Sequence, residues 1–173
     1  MSETKTQVTL TFDFDAESLW MSLGQISPQP MSRGTYGAQV GVGRILSLLQ
    51  REDIKATFFV PGETARRHPE KLRMISDAGH EIGHHGDVHE APAALSLEEE
   101  RAAIERGVEA LETVTGKRPV GYRSPSWDFS ENTLGLLRMF GFQWDSSLMA
   151  DDFRLYELLD KDGKGAGITE LPV

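Results

Sequence analysis

The sequence predicts an α/β fold, and three observations carry that expectation. Segments with strand character alternate with amphipathic stretches along the 173 residues, the order required by parallel strands joined through helical crossovers. One strand segment, residues 55–60, runs Ala-Thr-Phe-Phe-Val after Lys55, with the length and make-up of a strand buried on both faces. Polar fragments follow four of the strand segments, which is where ligands bind in sheets and barrels of this class.

Taken in order, residues 8–14 are β-rich and form the first strand. Residues 16–36, with Pro28 and Pro30, lack periodicity and are read as a substrate-facing or locally disordered loop. Residues 38–51 are helical, with Val42, Ile45, Leu46 and Leu49 on one side. Pro61-Gly62 closes the buried strand, and a helix over 64–77 ends at Gly79. Residues 81–83 make a short strand. Ser96-x-x-Glu99 is a capping box opening a helix that buries Ile104, Val108 and Leu111 and stops at Gly116. Residues 120–123 form a strand, and Ser130 caps a helix through Leu134, Leu137 and Phe140 that ends at Gly141. Residues 142–144 and 168–173 supply two more strands.

Composition narrows the function. A net charge of −9 argues against a nucleic-acid partner, because phosphate neutralisation needs clustered Lys and Arg. The absence of Cys removes disulfides, thiolate ligands and a Cys nucleophile. Residues 1–8 contain no apolar run of signal-sequence length, and no stretch approaches the ~20 apolar residues of a spanning helix. The expectation is a cytoplasmic protein of one domain, residues 1–173, with no membrane partner; a homo-oligomer is compatible with it.

Three fragments read as one active site: Thr11-Phe12-Asp13-Phe14-Asp15, His84-His85-Gly86-Asp87-Val88-His89 and Arg123-Ser124-Pro125-Ser126-Trp127. In a strand, Asp13 and Asp15 project to one face while Phe12 and Phe14 point into packing. Two like charges so close repel unless a cation lies beside them; the alternative is a pair of strand-end caps. His85 and His89, four apart, are expected to meet on one face of a single helical turn. Two imidazoles and one carboxylate make a three-ligand site of the catalytic-zinc type. Arg123 can pair with the carboxylate that does not bind metal. Trp127 is a candidate apolar wall, and His84 either supports the ligands or faces substrate. His80 is expected at a helix end against carbonyls and His68 on the surface; Asp87 and Glu90 are read as surface residues in preference to outer-sphere partners of the ligands. Asp145 either pairs with Arg123 or caps its own loop.

These fragments, in this order, resemble the first three motifs of the polysaccharide deacetylase family (the NodB-homology domain), over residues 8–173. The resemblance implies a distorted (β/α)7 barrel and removal of acetyl groups from sugars with one bound divalent metal, usually zinc. By it, Asp13 corresponds to the catalytic base, Asp15, His85 and His89 to the metal ligands, and Arg123 to the residue that orients the base. Phe14 separates aspartates that are adjacent in the usual first motif. The longer form through Glu17, with Ser32-Arg-Gly-Thr-Tyr36 after it, is more similar to a subgroup of intracellular peptidoglycan-deacetylase-like proteins, allantoinases and cyclic imide hydrolases. Trp20, Arg33 and Tyr36 join Trp127 and His84 as candidate substrate-binding residues. The implied substrate is thus an acetylated sugar or a small amide, with a non-catalytic carbohydrate-binding relative as a further alternative. The end at Glu170-Leu-Pro-Val173 resembles the family's next-to-last strands, without the later motif that brings a His general acid. The expectation is an incomplete barrel from a polypeptide of roughly 250–300 residues.

Overall fold

The computed structural model describes residues 8–173; the sequence reading of residues 1–7 lies outside them. The strands are β1 (Thr11–Asp13), β2 (Thr57–Val60), β3 (Glu81–His84), β4 (Gly121–Tyr122), β5 (Trp144–Asp145), β6 (Tyr156–Leu159) and β7 (Gly165–Glu170). They form one sheet in the order β1-β2-β3-β4-β5-β7-β6. All neighbours are parallel except β6 and β7. Among the described residues β1 and β6 are free edges, so the sheet is not closed into a barrel.

β2 is the buried strand that its apolar run predicts, with all four residues out of solvent. Phe58 and Val60 face the helices and join a core with Phe14, Val42, Leu49, Leu72, Ile75 and Leu111. Phe59 points the other way, with Trp144 edge-on at 5.5 Å. Both rings need room from the neighbouring strands: a Cβ on Gly83 would collide with Phe59, and one on Gly121 with Trp144. The floor under the strand ends is therefore aromatic and close-packed. A second core gathers Ile104, Val108, Tyr122, Leu136, Leu137, Phe142 and Ile168.

The long helix α6 (Leu97–Thr115) starts at the expected capping box and stops where Gly116 turns left-handed at φ 70°. Elsewhere the structure corrects the reading. Residues 16–36 are not irregular: they hold α1 (Ser18–Ser22) and α2 (Pro28–Tyr36), and α2 runs through a π-turn (Gly37–Gly41) into α3 (Val42–Arg51). Pro28 and Pro30 lie in the first helical turn, where an N–H has no intrahelical partner to lose. The expected helix over 64–77 is two, α4 (Gly62–Arg67) and α5 (Pro69–Asp77). His68 sits at φ −126°, ψ 52° between them, because a residue before proline is driven out of the α region. α7 (Thr133–Phe140) begins two residues later than its serine signal, although the Ser130 hydroxyl does accept from Asn132 N and Thr133 N. The last strand segment, expected over 168–173, is β7 over 165–170, the return arm of a hairpin with β6.

Candidate active site

Four strand ends meet at one rim. β1 delivers Asp13 and, two residues on, Asp15; β3 leads into His85 and His89; β4 into Arg123; β5 into Asp145, Ser146 and Ser147. Asp15 is fixed through its backbone: its carbonyl accepts from Ser18 N at 3.0 Å, Ser18 Oγ at 2.6 Å and Thr64 Oγ1 at 2.5 Å. Its carboxylate then faces two imidazoles, Oδ1 lying 3.6 Å from His85 Nε2 and Oδ2 3.8 Å from His89 Nε2.

The donor atoms of these three residues converge on one point. One donor atom from each of Asp15, His85 and His89 lies within 4.8 Å of the others. Ligands at ~2.0–2.2 Å from a tetrahedral divalent ion would lie roughly 3.3–3.6 Å apart. Asp15 Oδ1 is buried and takes no hydrogen bond within the protein, a costly state for a polar atom unless something else completes it. Burial, opposed by His85 and reinforced by the charge of Asp13, pushes the Asp15 carboxyl up to about 6. Burial also lowers both imidazoles, keeping them neutral as ligands must be. His85 Nδ1–H donates to the Arg123 carbonyl at 2.7 Å, which fixes the tautomer and leaves the Nε2 lone pair toward Asp15. These residues fit a divalent ion.

His85 and His89 do not lie on a helical turn. Residues 86–90 form an irregular loop, with Gly86 at φ 73° and His89 at φ 63°. The rings are brought together by that loop, at 4.9 Å between centroids and 80° between planes.

Asp13 stands apart from the triad and takes Arg123 NH1 on Oδ1 at 2.9 Å. The guanidinium is held on every side. Its Nε donates to Ser146 O at 2.8 Å, NH2 to Ser146 Oγ at 2.7 Å and Thr11 Oγ1 at 3.0 Å, and its plane covers the Phe59 ring at 4.2 Å. Such a caged fork permits one orientation. The sequence assigns no individual role to Thr11 or Ser146; the signal for both is their position in polar fragments at strand ends.

Asp145 does not reach Arg123. It caps its own loop, accepting from Ser147 N at 3.1 Å and Ser147 Oγ at 2.8 Å, while that hydroxyl accepts from Ser124 N at 2.8 Å. Across the β5–β7 pairing it meets Glu170, whose Oε1 accepts from Ser147 N and Leu148 N. Burial and the facing Glu170 hold the Asp145 carboxyl well above the usual range.

Four expectations are corrected here. His84 does not face substrate: it is fully buried, with Nε2 on Ile104 O at 3.1 Å and Nδ1 accepting from Gly86 N at 3.2 Å, and its ring stacks on Tyr122. Asp87 is buried between Arg66 and Arg106, not on the surface. His68 is no surface residue; it meets the buried Glu17 carboxylate at 2.6 Å. His80 does not reach carbonyls but accepts the Ala56 N–H on Nδ1 at 3.2 Å. Trp127 is 48% exposed on a turn whose Pro125 packs on Gly86, at the edge of the ligand loop. Trp20 lies beneath the Arg33 guanidinium at 5.5 Å, and Tyr36 takes a bond from Arg44 at 3.1 Å. Those side chains engage one another and Arg44 rather than Asp13 or the triad.

Residues 2–144 match the family model described as polysaccharide deacetylase. The chain belongs to that family. It is 41% identical over 146 residues to a peptidoglycan deacetylase of Helicobacter pylori, covering 83% of this chain and 50% of that protein. Among solved structures it superposes with a TM-score of 0.87 and 44% identity on a protein assigned as a polysaccharide deacetylase from Mycobacterium smegmatis, over 100% of this chain and 61% of that one. The Puue allantoinase structure superposes with a TM-score of 0.78 at 25% identity, over 95% and 60%. The chain thus spans about half to three fifths of the length of these relatives. The α/β class is as the alternation of segments predicts. Among the described residues no helix is long and apolar enough to cross a membrane.

Proposed function

We propose that this chain carries the base and metal centre of a hydrolase that removes the N-acetyl group from an acetylated amino sugar of the peptidoglycan type. The observation that carries the reading is the division of labour between two aspartates. Asp13 is paired with a caged Arg123, whereas Asp15 faces two neutral imidazoles with an oxygen to spare. The family membership and the identity to a peptidoglycan deacetylase support it.

Asp15, His85 and His89 would hold one divalent ion, and zinc is the ion we expect from their nitrogen and oxygen donors. When bound, that ion supplies Lewis acidity and a water of lowered pKa. Asp13 is the general base. Its Oδ1 is occupied by Arg123, which holds the carboxylate in one plane and leaves Oδ2 to take the proton of the attacking water. The Ser146 and Thr11 contacts keep the guanidinium from following a departing charge. Phe59 and Trp144 close the floor to bulk water. Trp127, on the exposed rim, is the side chain we assign to the sugar face. A second reading, hydrolysis of a small cyclic ureide or imide, is favoured by one observation, the likeness to Puue allantoinase.

A substrate panel separates the two. N-acetylglucosamine oligomers and peptidoglycan fragments would be offered beside allantoin, hydantoin and succinimide, with and without chelator. Acetate release from the glycans, stopped by chelator and restored by zinc, is expected. Turnover of the rings alone would replace the first reading with the second.

A further inference from the structure

The loop that carries His89 is held from behind by a carboxylate for which the proposed chemistry has no use. Asp87 is 3% exposed, and each of its oxygens takes a different guanidinium: Arg66 NH2 on Oδ1 at 2.5 Å and Arg106 Nε on Oδ2 at 2.6 Å. Arg66 comes from α4 and Arg106 from α6, so one side chain ties the loop to two helices of the wall. The loop backbone is secured as well. Gly62 N and Glu63 N donate to the carbonyls of Gly86 and Asp87 at 3.1 and 2.7 Å. Glu90 Oε2 accepts from Asp87 N at 3.1 Å and Val88 N at 2.7 Å. A niche has been left for this: a Cβ on Gly62 would collide with Asp87, and one on Gly107 with His84.

The restraint has a target. His89 sits at φ 63°, in the left-handed region that a non-glycine residue occupies only when its surroundings over-determine it. Released, the backbone would relax toward negative φ and swing the imidazole away from Asp15. A structural ion pair elsewhere would add stability alone; this one ends two residues before a ligand.

We propose that Asp87, through its paired guanidiniums, is the positioning residue that holds His89 in ligating geometry. The proposal rests on the metal-centre reading above. It is tested by measuring zinc affinity of the purified chain by competition with a chromogenic chelator, together with the visible spectrum of the cobalt-loaded chain and the far-UV circular dichroism. Asp87→Ala should bind zinc 10–100-fold more weakly, the range for loss of a residue that supports a ligand. Asp87→Asn and Arg106→Gln should fall between it and the wild type, and the cobalt bands should shift in the same order. Glu100→Ala serves as control. Glu100 is equally buried, but its partners are Ser130 and Thr133, so this variant should lower Tm and keep wild-type zinc affinity. A folded Asp87→Ala variant with wild-type affinity overturns the proposal, as does an equal loss in Glu100→Ala. Should Asp87→Ala fail to fold, Asp87→Asn and Arg106→Gln decide, and unchanged affinity in both overturns it. A wild-type chain that binds neither zinc nor cobalt overturns the metal-centre reading and this proposal with it.

Discussion

Asp15 and Asp145 both stand at the carboxyl ends of parallel strands, and burial raises both carboxyls. Their surroundings differ in kind. Asp145 accepts an amide and a hydroxyl from Ser147 and faces Glu170, whose Oε2 takes no hydrogen bond; burial and that second acid favour the protonated form of Asp145. Asp15 is left incomplete, with Oδ1 unpartnered and two imidazoles beyond hydrogen-bond distance. A fold that can finish one buried acid with a proton has left the other open at a point where three donors converge. The contrast supports the proposal that the open one is the place for a cation and the closed one scaffold.

The comparison breaks most readily at the ligands. His85→Ala/His89→Ala should abolish stoichiometric zinc binding and activity together, as read by elemental analysis and the acetate assay. Asp145→Asn should leave metal content at the wild-type level. Full metal occupancy in the double variant would show that Asp15 is no more a cation site than Asp145.

Within the open site the two aspartates should separate by function. Asp13→Asn keeps a bond from Arg123 but removes the base, so kcat should fall by about 10²–10⁴-fold with zinc content unchanged. Loss of metal along with activity would mean that Asp13 shares the ligand role.

Much of this was legible in the sequence, for local reasons. The shared face of Asp13 and Asp15 rests on a strand end, the pairing of two imidazoles on a short spacing, the division of roles between the aspartates on the family resemblance, and the ends of α6 on a capping box and a glycine. What was not legible depends on elements far apart in the chain. Nothing around Asp87 announces Arg66 and Arg106, 21 and 19 residues away. His84 reads as a support for the ligands or a substrate-facing residue until α6 places the Ile104 carbonyl beside it. The helices over 18–36 were hidden by prolines that fall harmlessly in a first turn. The β6–β7 hairpin did carry a local signal, Asp160-Lys-Asp162-Gly163, in which Gly163 takes φ 73° and Asp160 Oδ1 accepts from Asp162 N and Lys164 N. The return arm itself reads poorly as a strand because Gly165 and Gly167 fall within it.

Metal removal sharpens the comparison through pH. The folded-state pKa of Asp15 is raised from 3.8 to about 6. Its contribution to the stability of the metal-free chain is therefore fully present below about 4 and is lost as pH rises through about 6. The loss amounts to about 2–3 kcal/mol at ~1.4 kcal/mol per pH unit. The depressed imidazoles act in the opposite direction, losing stability as pH falls below 6.5, so the quantity to measure is the difference between the wild type and Asp15→Asn. In urea titrations of metal-free protein that difference should favour Asp15→Asn increasingly from pH 4 to 6.5 and then level off. Saturating zinc should reverse it for the wild type alone. A difference independent of pH would mean that Asp15 is not the strained group.

The smallest effect lies at the closed site, and its sign changes with pH. In Asp145→Asn the new amide can donate to Glu170 without a shared proton, but one acceptor for Ser147 is lost. At the acid end of the range, where the raised Asp145 carboxyl keeps its proton, the variant should be about 1 kcal/mol less stable, the net worth of a hydrogen bond. Asp145 has a raised carboxyl, so its contribution is present at low pH and lost as pH rises through that raised value. An asparagine has no proton to lose. Denaturation curves of the two proteins should therefore converge on raising the pH and cross, leaving the variant the more stable at the alkaline end. Parallel curves across this range would mean that Asp145 and Glu170 share no proton, and the distinction drawn between the closed acid and the open one would fall.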